Sequence, residues 1–569
     1  MEIRMYSLTS IPPGLFIILG ALLIPIFSGR TRNVFMLVLP TIGLAGLLQF
    51  DVGIYWETKI FNQNLTPVRI DDLSLVFGYI FHLAAIISVI YAFHIRDTIQ
   101  QVASLVYSGS AIGAVFAGDL ITLFVYWEIT AISSVFLIWA NRTERSYRSG
   151  MRYLVVQVAS GVLLLSGSVI YITETGSINF DKMSLVGFGP IFIFVAFGIK
   201  AAFPLVNGWL HDAYPNATAT GTVFLSAFTT KLAIYALARG FPNADILIWI
   251  GCIMATITVI YALLENDLRR VMTYSLNTQL GLMVIAVGIG SNLALNGAVA
   301  HAFTGIVYKS LLFMVLGAVL VQTGTTKANE LGGLRNSMPW TAAFAIIGAA
   351  SISAFPFFIG FPSKSLILSA TAYEGYWVVW GILLFASAGV FFNTGIRIPY
   401  LVFFGKQTDK KIVEAPANML VAMGITSIIC LLIGIYPKIL FDLLPFNIAY
   451  EPYTMSHIIT QIQLLSAAAL VYVYANNKDL LSNNKISLLL DVDWFFRRGF
   501  PFIINYVFKF YWKIHQGLLS NLKINLSKII GTVFKHHGPE GVLARTWPTG
   551  STVLWVAILL ALYVIVYFV

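Results

Sequence analysis

About sixteen apolar stretches, each close to the roughly 20 residues that cross a bilayer as a helix, follow one another along this chain. Of its 569 residues, 58% are hydrophobic and 11% are charged, whereas soluble domains carry roughly 25% charged residues. The pattern predicts an all-α polytopic membrane protein. The predicted spans lie near residues 11–28, 33–50, 72–93, 102–117, 119–140, 151–173, 189–208, 216–238, 243–264, 272–289, 294–322, 340–369, 376–404, 419–437, 456–475 and 551–569.

Lysines and arginines in the short loops predict the orientation of these spans. Fourteen follow odd-numbered spans and six lie on the opposite side. The odd loops are therefore expected on the cytoplasmic side of a cell (inner) membrane, or the matrix side in an organelle, with both termini outside. The net charge of +10 then reflects cationic loops and lipid head groups rather than nucleic acid. No small-residue cleavage site follows the first apolar run, which therefore reads as a span and not as a removed signal peptide.

Six ionisable side chains interrupt the apolar stretches. A charge in hydrocarbon costs on the order of 3 kcal/mol or more, so such residues usually line an ion or proton path. Lysine suits proton exchange because desolvation can make it release its proton at neutral pH. Jointly the six predict relayed proton transfer along successive helices, and they are Glu128, Lys200, Lys231, His301, Lys309 and Lys364.

Two of these residues form a predicted charged pair. No polar residue near Glu128 in sequence can neutralise it, and Lys200, deep in its own span, is the natural partner. Paired, the lysine stays charged; separated from the carboxylate in the same dry site, it loses its proton. The alternative is a lysine that reaches a membrane interface. Lys231 follows Thr229 and Thr230, whose hydroxyls could hold water or bind the ammonium.

The other three candidates lie further along the chain. His301 and Lys309 share one span and are separated by about 12 Å of helix rise, on roughly the same side. We expect both to face one water-filled path, although a lone histidine in a span is often only hydrogen-bonded to its surroundings. Lys364 lies either at mid-depth or at a membrane interface.

Prolines predict two discontinuous helices. The sequence GIKAAFP at 198–204 recurs in part as SAFP at 353–356. Proline inside a span frees a backbone carbonyl, which is tolerated where the helix faces a polar cavity. The first break is expected after Lys200 and the second between Pro356 and Pro362, just before Lys364. Broken helices at corresponding positions of two repeats mark the ion site in many transporters.

The region before the last span has a different pattern. From Pro501, apolar residues recur at three- and four-residue steps, and lysines occupy the other faces. This predicts an amphipathic helix of roughly 50 Å on the cytoplasmic surface, within residues 481–550. It either anchors the protein in the lipid interface or forms a strap across neighbouring helices or a neighbouring subunit.

Several kinds of site are not expected. The chain has no GxxxxGK[ST] phosphate loop, no GxGxxG before a helix and no HExxH. Its two cysteines, Cys252 and Cys430, lie in apolar runs far apart in sequence, which argues against a disulfide framework or a cysteine metal site. We therefore expect no cofactor and no catalytic centre within this chain, and any driving energy comes from an ion gradient or a partner.

Four ordered motifs between roughly residues 70 and 405 resemble one superfamily. It comprises the antiporter-like subunits of respiratory complex I and the large subunits of Mrp-type Na+/H+ antiporters. The resemblance implies two five-helix repeats, about 101–240 and 243–405, each with one discontinuous helix. The motifs are LFVYWE at 123–128, KAAFP at 200–204 with WLHDA at 209–213, HAF at 301–303 through YKSLLF at 308–313, and GFPSK at 360–364.

The resemblance also implies roles. Glu128 and Lys200 resemble the Glu–Lys pair of the family, and Lys231 resembles its bridging lysine. The central relay would be His301 with Lys309. Lys364 resembles the terminal lysine that exchanges protons with one side. A lysine at position 231 is typical of the D-type subunits of Mrp antiporters and of the smaller complex I members, whereas the added surface helix and final span resemble the largest complex I subunit. Gly305 stands where some members carry a second histidine.

The first hypothesis is a proton-translocating subunit of a multi-subunit Na+/H+ antiporter, most like the D-type subunits of Mrp antiporters. Its partners would be other hydrophobic subunits, lipid, protons and Na+, although no cluster of acidic and carbonyl ligands locates a Na+ site. The alternatives are a pump subunit of a complex I-like redox enzyme, a self-sufficient transporter for another solute, and a scaffold with structural charges. The expected organisation is N-terminal spans in 1–100, a proton-conducting core in 101–405, further spans in 406–480, the amphipathic helix in 481–550 and a last span in 551–569.

Overall fold

The computed structural model describes residues 12–60, 63–405, 412–478, 500–541 and 548–568. The chain divides into two compact units, residues 1–489 and 490–569. The first unit contains α1 (Pro13–Leu22), α2 (Gly29–Leu47), α3 (Asp72–Tyr91), α4 (Thr98–Phe116), α5 (Leu120–Trp139), α6 (Glu144–Thr175), α7 (Phe188–Lys200), α8 (Gly208–Ala213), α9 (Ala219–Ala227), α10 (Thr229–Gly240), α11 (Asp245–Leu264), α12 (Leu268–Ile289), α13 (Asn292–Thr323), α14 (Pro339–Ile352), α15 (Gly360–Tyr373), α16 (Trp377–Val390), α17 (Ala417–Ile435), α18 (Lys438–Phe441) and α19 (Met455–Asn477).

Two helices form the described part of the second unit. Helix α20 (Phe500–His537) occupies the place of the predicted amphipathic helix, with Pro501 in its first turn, and α21 (Thr549–Phe568) matches the last predicted span. Proline is well tolerated at the start of a helix because the first turn leaves its backbone N–H groups unbonded anyway. The remainder of the predicted 481–550 segment, residues 481–499 and 542–547, lies outside the described residues.

The described helices confirm a polytopic membrane protein. Twelve helical segments of the described residues are long and apolar enough to cross a bilayer, one of them formed by α9 and α10 together. Three shorter apolar helices accompany them over Pro13–Ile26, Phe188–Lys200 and Pro339–Ile352. The figure of about sixteen spans stays a prediction, because several predicted spans are divided in the structure.

A β-hairpin, which the sequence analysis does not predict, precedes α3 in an otherwise helical chain. Strands β1 (Gly53–Ile60) and β2 (Gln63–Ile70) pair antiparallel. Strand β1 is rich in aromatic and β-branched residues, the composition that favours strands. The hairpin also supports the start of α5, because the backbone N–H of Thr66 donates to the Asp119 carboxylate (2.8 Å), which caps that helix.

Two helices are interrupted, as the prolines predict. Residues 201–207 separate α7 from α8, and residues 353–359 separate α14 from α15. The first link has positive φ at Ala202 (58°) and Leu205 (72°). The second link has positive φ at Ala354 (54°) and Phe357 (71°). A left-handed backbone is uncommon outside glycine. Its recurrence at the same spacing shows that the two links share one local fold.

The second break lies earlier than its prediction. It begins at Ser353 and ends before Gly360, so it contains Pro356 but not Pro362. Pro362 lies in the first turn of α15, where no intrahelical bond is lost because the first N–H groups have no partner in the helix. Lys364 is consequently a helical residue, and its side chain is 1% exposed rather than at a surface.

The centre of the first unit is formed by four helices. Helices α9, α10 and α12 are buried along almost their whole length, and α13 is buried along most of it. Side chains on these helices therefore face other helices and not lipid. This is the environment in which polar groups within a membrane protein can be satisfied.

One ion pair ties the start of α3 to the end of α10. The carboxylate of Asp71 accepts hydrogen bonds from the Ser74 N–H (2.9 Å) and from Arg239 (2.7 Å). Burial alone would raise the pKa of Asp71, but the hydrogen bond and positive charge of Arg239 outweigh it and hold the pKa below its usual range. The pair therefore stabilises the fold above the ordinary carboxyl pKa, and this contribution is lost as pH falls through the lowered value.

We expect Asp71→Asn to lower the melting temperature of the purified protein at neutral pH. Asparagine also caps helices well, so the change removes the charge and leaves the cap. The deficit should shrink as the pH approaches the lowered pKa of Asp71, because the native carboxylate is then protonated too. Asp72→Asn is the control, since exposed Asp72 adjoins the pair without contacting Arg239. Equal losses in both variants would contradict the assignment.

Candidate functional site

Lys200 is the last residue of α7 and is fully buried. Its ammonium donates to the backbone carbonyl of Trp127 (2.7 Å) and lies 4.2 Å from the centre of the Trp127 ring. The neighbouring Glu128 is half-buried, and its buried Oε1 has no hydrogen-bond partner. The two charges are near enough to interact electrostatically, yet none of the ion pairs within 4.0 Å among the described residues joins them. The structure thus places the predicted pair together without direct contact.

Lys231 lies beside a helix break at which the sequence has no proline or glycine. A single residue, Phe228, interrupts the helix between α9 and α10, within the predicted continuous span 216–238. The ammonium of Lys231 donates to the carbonyl of Ser226 (2.7 Å), near the end of α9. The backbone N–H of Thr229 donates to the hydroxyl of Tyr107 on α4 (3.0 Å). A tyrosine from another helix therefore satisfies a backbone group that the break leaves unpaired.

His301 belongs to a chain of hydrogen bonds through three helices. Its Nε2 lies 2.5 Å from Oε1 of Gln279 on α12, and its Nδ1 lies 3.0 Å from the hydroxyl of Ser363 on α15. Because the amide oxygen only accepts, Nε2 donates and Nδ1 accepts from Ser363. Thr304 extends the chain, 2.8 Å from the same hydroxyl. The structure thus links His301 to the residue that precedes Lys364.

The last two lysines also have neutral partners. Lys309 donates to the hydroxyl of Ser275 on α12 (2.8 Å), one turn from Gln279, so Lys309 and His301 face the same helix as expected. Lys364 donates to the carbonyl of Ile352 (3.3 Å), the last residue of α14. Both lysines are 1% exposed.

Three of the four buried lysines lie at helix breaks. Lys200 ends α7, Lys231 bonds the end of α9, and Lys364 bonds the end of α14. Helix C-termini carry partial negative charge and unbonded carbonyls, which stabilise the ammonium groups of Lys231 and Lys364. The ammonium of Lys200 instead bonds the Trp127 carbonyl within α5. Among the described residues, none of the four ammonium groups contacts a carboxylate within 4.0 Å. Their charges are therefore balanced by dipoles and hydroxyls.

The six predicted residues fall into two groups. Glu128 interacts with Lys200. His301 lies close enough to interact electrostatically with Lys231, Lys309 and Lys364. These four residues form the second group. Helix α10, which carries Lys231, packs against α7 as well as against α12 and α13, and so connects the two groups.

The sequence interpretation omits several buried polar groups. His82 lies within the predicted span 72–93 and is fully buried, with its Nε2 unbonded. His211 on α8 stacks on Tyr274 (ring centroids 4.0 Å apart), and its Nε2 is also unbonded. A histidine within an apolar run was a usable signal for His82. The amide groups of Gln157 and Asn277 are buried without hydrogen-bond partners, a property that only packing reveals.

The buried polar atoms without partners matter for the chemistry of the site. A buried polar group that bonds nothing is costly, and buried water is its usual partner. Within the described part of the chain, no group of three His, Cys, Asp or Glu side chains is placed to hold a metal ion. The arrangement offers protonatable groups, hydroxyls and sites for water, which suits proton exchange between neighbours.

The fold and the site together define a membrane-embedded protein with a buried row of ionisable groups beside discontinuous helices, the arrangement typical of ion transporters. Residues 117–391 match the family model described as NADH:quinone oxidoreductase/Mrp antiporter, TM. All four motifs that resemble this family lie within the matched segment, which confirms the resemblance.

Curated relatives carry antiporter and oxidoreductase names. The D-type subunit of the Na(+)/H(+) antiporter of Alkalihalophilus pseudofirmus is 28% identical over 66% of this chain and 83% of its own length. The A-type subunit of the same antiporter is 28% identical over 74% of this chain, which spans 60% of that longer relative. The N-type subunit of NADH-quinone oxidoreductase from Desulforudis audaxviator is 28% identical over 58% of this chain and 73% of its own.

Solved structures share the fold. A chain of the Mrp complex from Dietzia sp. DQ12-45-1b has a TM-score of 0.70 at 18% identity and covers 84% of this chain and 100% of its own. A chain of the membrane-bound sulfane sulfur reductase, an archaeal respiratory membrane complex, has a TM-score of 0.70 at 22% identity and covers 97% of this chain and 99% of its own. A chain of respiratory complex I from Thermus thermophilus has a TM-score of 0.66 at 19% identity over 77% of this chain and 100% of its own.

Proposed function

We propose that this chain is the proton-translocating membrane subunit of a multi-subunit Na+/H+ antiporter in the cell membrane. Protons would pass along Glu128, Lys200, Lys231, the His301–Lys309 group and Lys364, and the assembly as a whole would exchange the coupled Na+. Other hydrophobic subunits would be its partners. The relatives named as antiporter subunits support this proposal.

One observation carries the proposal: three of the four buried lysines lie at helix breaks and are bonded to backbone carbonyls rather than carboxylates. A lysine balanced by neutral oxygens can exchange its proton, whereas one locked in an ion pair cannot do so without losing its partner. Packing alone gives no reason to place lysines at such positions, because a buried charge costs several kcal/mol.

We further propose two structural repeats, about residues 101–240 and 243–405, with both termini outside. The matching links after α7 and α14 support the repeats. A second recurrence also supports them. An isolated antiparallel β-bridge joins the backbones of Asp119 and Asn179 in the first repeat, and another joins those of Asp267 and Lys327 in the second. Cysteine labelling of each terminus in intact cells would test the orientation.

A second candidate function is a pump subunit of a complex I-like redox enzyme. One observation favours it: the relative named as subunit N of NADH-quinone oxidoreductase is 28% identical to this chain, the same identity as the relatives named as antiporter subunits. Purification of the native assembly separates the two candidates. Flavin and iron–sulfur subunits in the assembly would establish the redox enzyme, and small hydrophobic subunits alone would establish the antiporter.

We expect Glu128→Gln to lower proton transport without loss of assembly. The change keeps the size of the side chain but removes the negative charge that interacts with Lys200. Transport by the reconstituted assembly, followed with a pH-sensitive dye inside liposomes, should fall by about tenfold or more. Unchanged transport at every pH would contradict the paired role of Glu128.

Gly161→Ala supplies a second test of the same carboxylate. A Cβ on Gly161 would lie 1.3 Å from Oε1 of Glu128, so the carboxylate must move while its charge is kept. Transport should fall here as well, because the distance to Lys200 changes. Gly381→Ala is the matched control, since a Cβ there meets no atom within 4 Å.

A further inference from the structure

Two cavities lie on either side of three hydrogen-bonding residues near Lys364. The first cavity has a volume of about 200 Å³, and its wall includes Lys364, Ser369 and His457. The second has a volume of about 260 Å³, and its wall includes Asp442 and Tyr450. Both are large enough for several waters, since one water occupies about 30 Å³ of liquid.

The residues between the cavities touch one another. The hydroxyl of Ser369 lies 3.0 Å from that of Tyr450 and 3.3 Å from Nε2 of His457. Ser369 faces the first cavity and Tyr450 the second. The Ser369–Tyr450–His457 group therefore forms a polar connection from the cavity of Lys364 to a cavity whose wall includes the carboxylate of Asp442.

The hydrogen bonds of His457 leave one ring nitrogen unprotonated and able to act as a base. Nδ1 lies 3.1 Å from the carbonyl oxygen of Pro452, which can only accept, so Nδ1 carries the hydrogen. Nε2 is then the unprotonated nitrogen, and it accepts from Ser369. Among the described residues that form the wall of the first cavity, Lys364 is the only charged side chain, and α16 contributes the uncharged Trp377 and Trp380.

Packing of α19 fixes this position. One turn after His457, the side-chain amide of Gln461 donates to the carbonyl of Ser353 (2.9 Å), in the link between α14 and α15. This bond ties α19 to the same helix break whose end binds Lys364. From Lys364 to Ser369, α15 rises about 7.5 Å, a distance that two or three waters can bridge.

We propose that His457, with Ser369 and Tyr450, is the exit through which Lys364 exchanges protons with the membrane surface. This inference rests on the proposed function. The ammonium of Lys364 gives a proton to water in the first cavity, and Nε2 of His457 takes it up. The imidazolium then returns the proton through Ser369 and Tyr450 to water in the second cavity, beside Asp442.

The test uses the full assembly reconstituted in liposomes. His457→Gln, which keeps a polar group but not a base, and Tyr450→Phe, which removes the hydroxyl, should each slow transport by about tenfold or more. Free imidazole should restore transport to His457→Ala, a response that a purely structural role would not give. Thr460→Val is the control, because Thr460 lines the same cavity without joining the group.

The outcomes separate the two proposals. If Lys364→Met stops transport but His457→Gln and Tyr450→Phe transport at the normal rate, the exit is wrong and the proton path stands. If Lys364→Met itself transports normally, the proposed function fails. If His457→Ala does not assemble, Tyr450→Phe and Ser369→Ala decide the matter, since normal transport in both would overturn the exit.

Discussion

Lys200→Ala should abolish proton transport while the assembly still forms. Lys200 is fully buried, interacts with Glu128 and ends α7 where the first helix break begins. Helix α7 carries no other protonatable side chain, so without this ammonium nothing on α7 can pass a proton between Glu128 and Lys231. We expect the rate in liposomes to fall at least about 100-fold, the scale of losing one positioned proton-transfer group.

Two further variants make this result interpretable. Lys200→Met keeps most of the side-chain volume, so a similar loss shows that charge and not packing is responsible. Lys182→Ala removes an exposed lysine from the segment between α6 and α7 and should leave transport unchanged. An assembled Lys200→Ala complex with full transport would leave only a scaffold role for the buried charges.

Lys309→Met should produce a loss of the same size. The ammonium is buried in the continuous helix α13, and Ser275 is its hydrogen-bond partner. Lys309 is close enough to Lys231 and to Lys364 for their charges to interact, so it connects these two lysines of the second group. Methionine fills the site without a proton to exchange. Transport measured in liposomes should again fall at least about 100-fold.

A graded series tests the role of Lys309 further. Ser275→Ala removes the hydroxyl but keeps the lysine, so transport should fall by a smaller factor than in Lys309→Met. Lys327→Met is the control, because Lys327 is exposed and pairs with Glu330 at the surface. Equal effects of Ser275→Ala and Lys309→Met would indicate a packing role in place of proton exchange.

Hydropathy predicted the membrane-spanning helices, and proline predicted two of the helix breaks. The breaks after Lys200 and around Pro356 follow from proline, which removes a backbone donor wherever it occurs. The break at Phe228 has no such signal, because it depends on Tyr107 from another helix. The β-hairpin was missed because a span-based interpretation considers only apolar segments.

The candidate site follows the same rule. An ionisable residue inside an apolar run is visible in the sequence, so the six residues could be selected from the sequence alone. Their partners could not, because Trp127 offers a backbone carbonyl and Ile352 offers the end of a helix. The sequence predicts a charged pair between Glu128 and Lys200. In the structure the ammonium of Lys200 bonds the carbonyl of Trp127, the residue before Glu128.

Proton transfer along the six residues requires water to connect the buried protonatable groups. The most direct measurement is a cryo-EM map of the native assembly at a resolution that shows ordered water. We expect ordered water against the unbonded polar atoms of Gln157, Asn277 and Thr230, and between Lys200 and Lys231. Apolar side chains packed without water between those two lysines would contradict it.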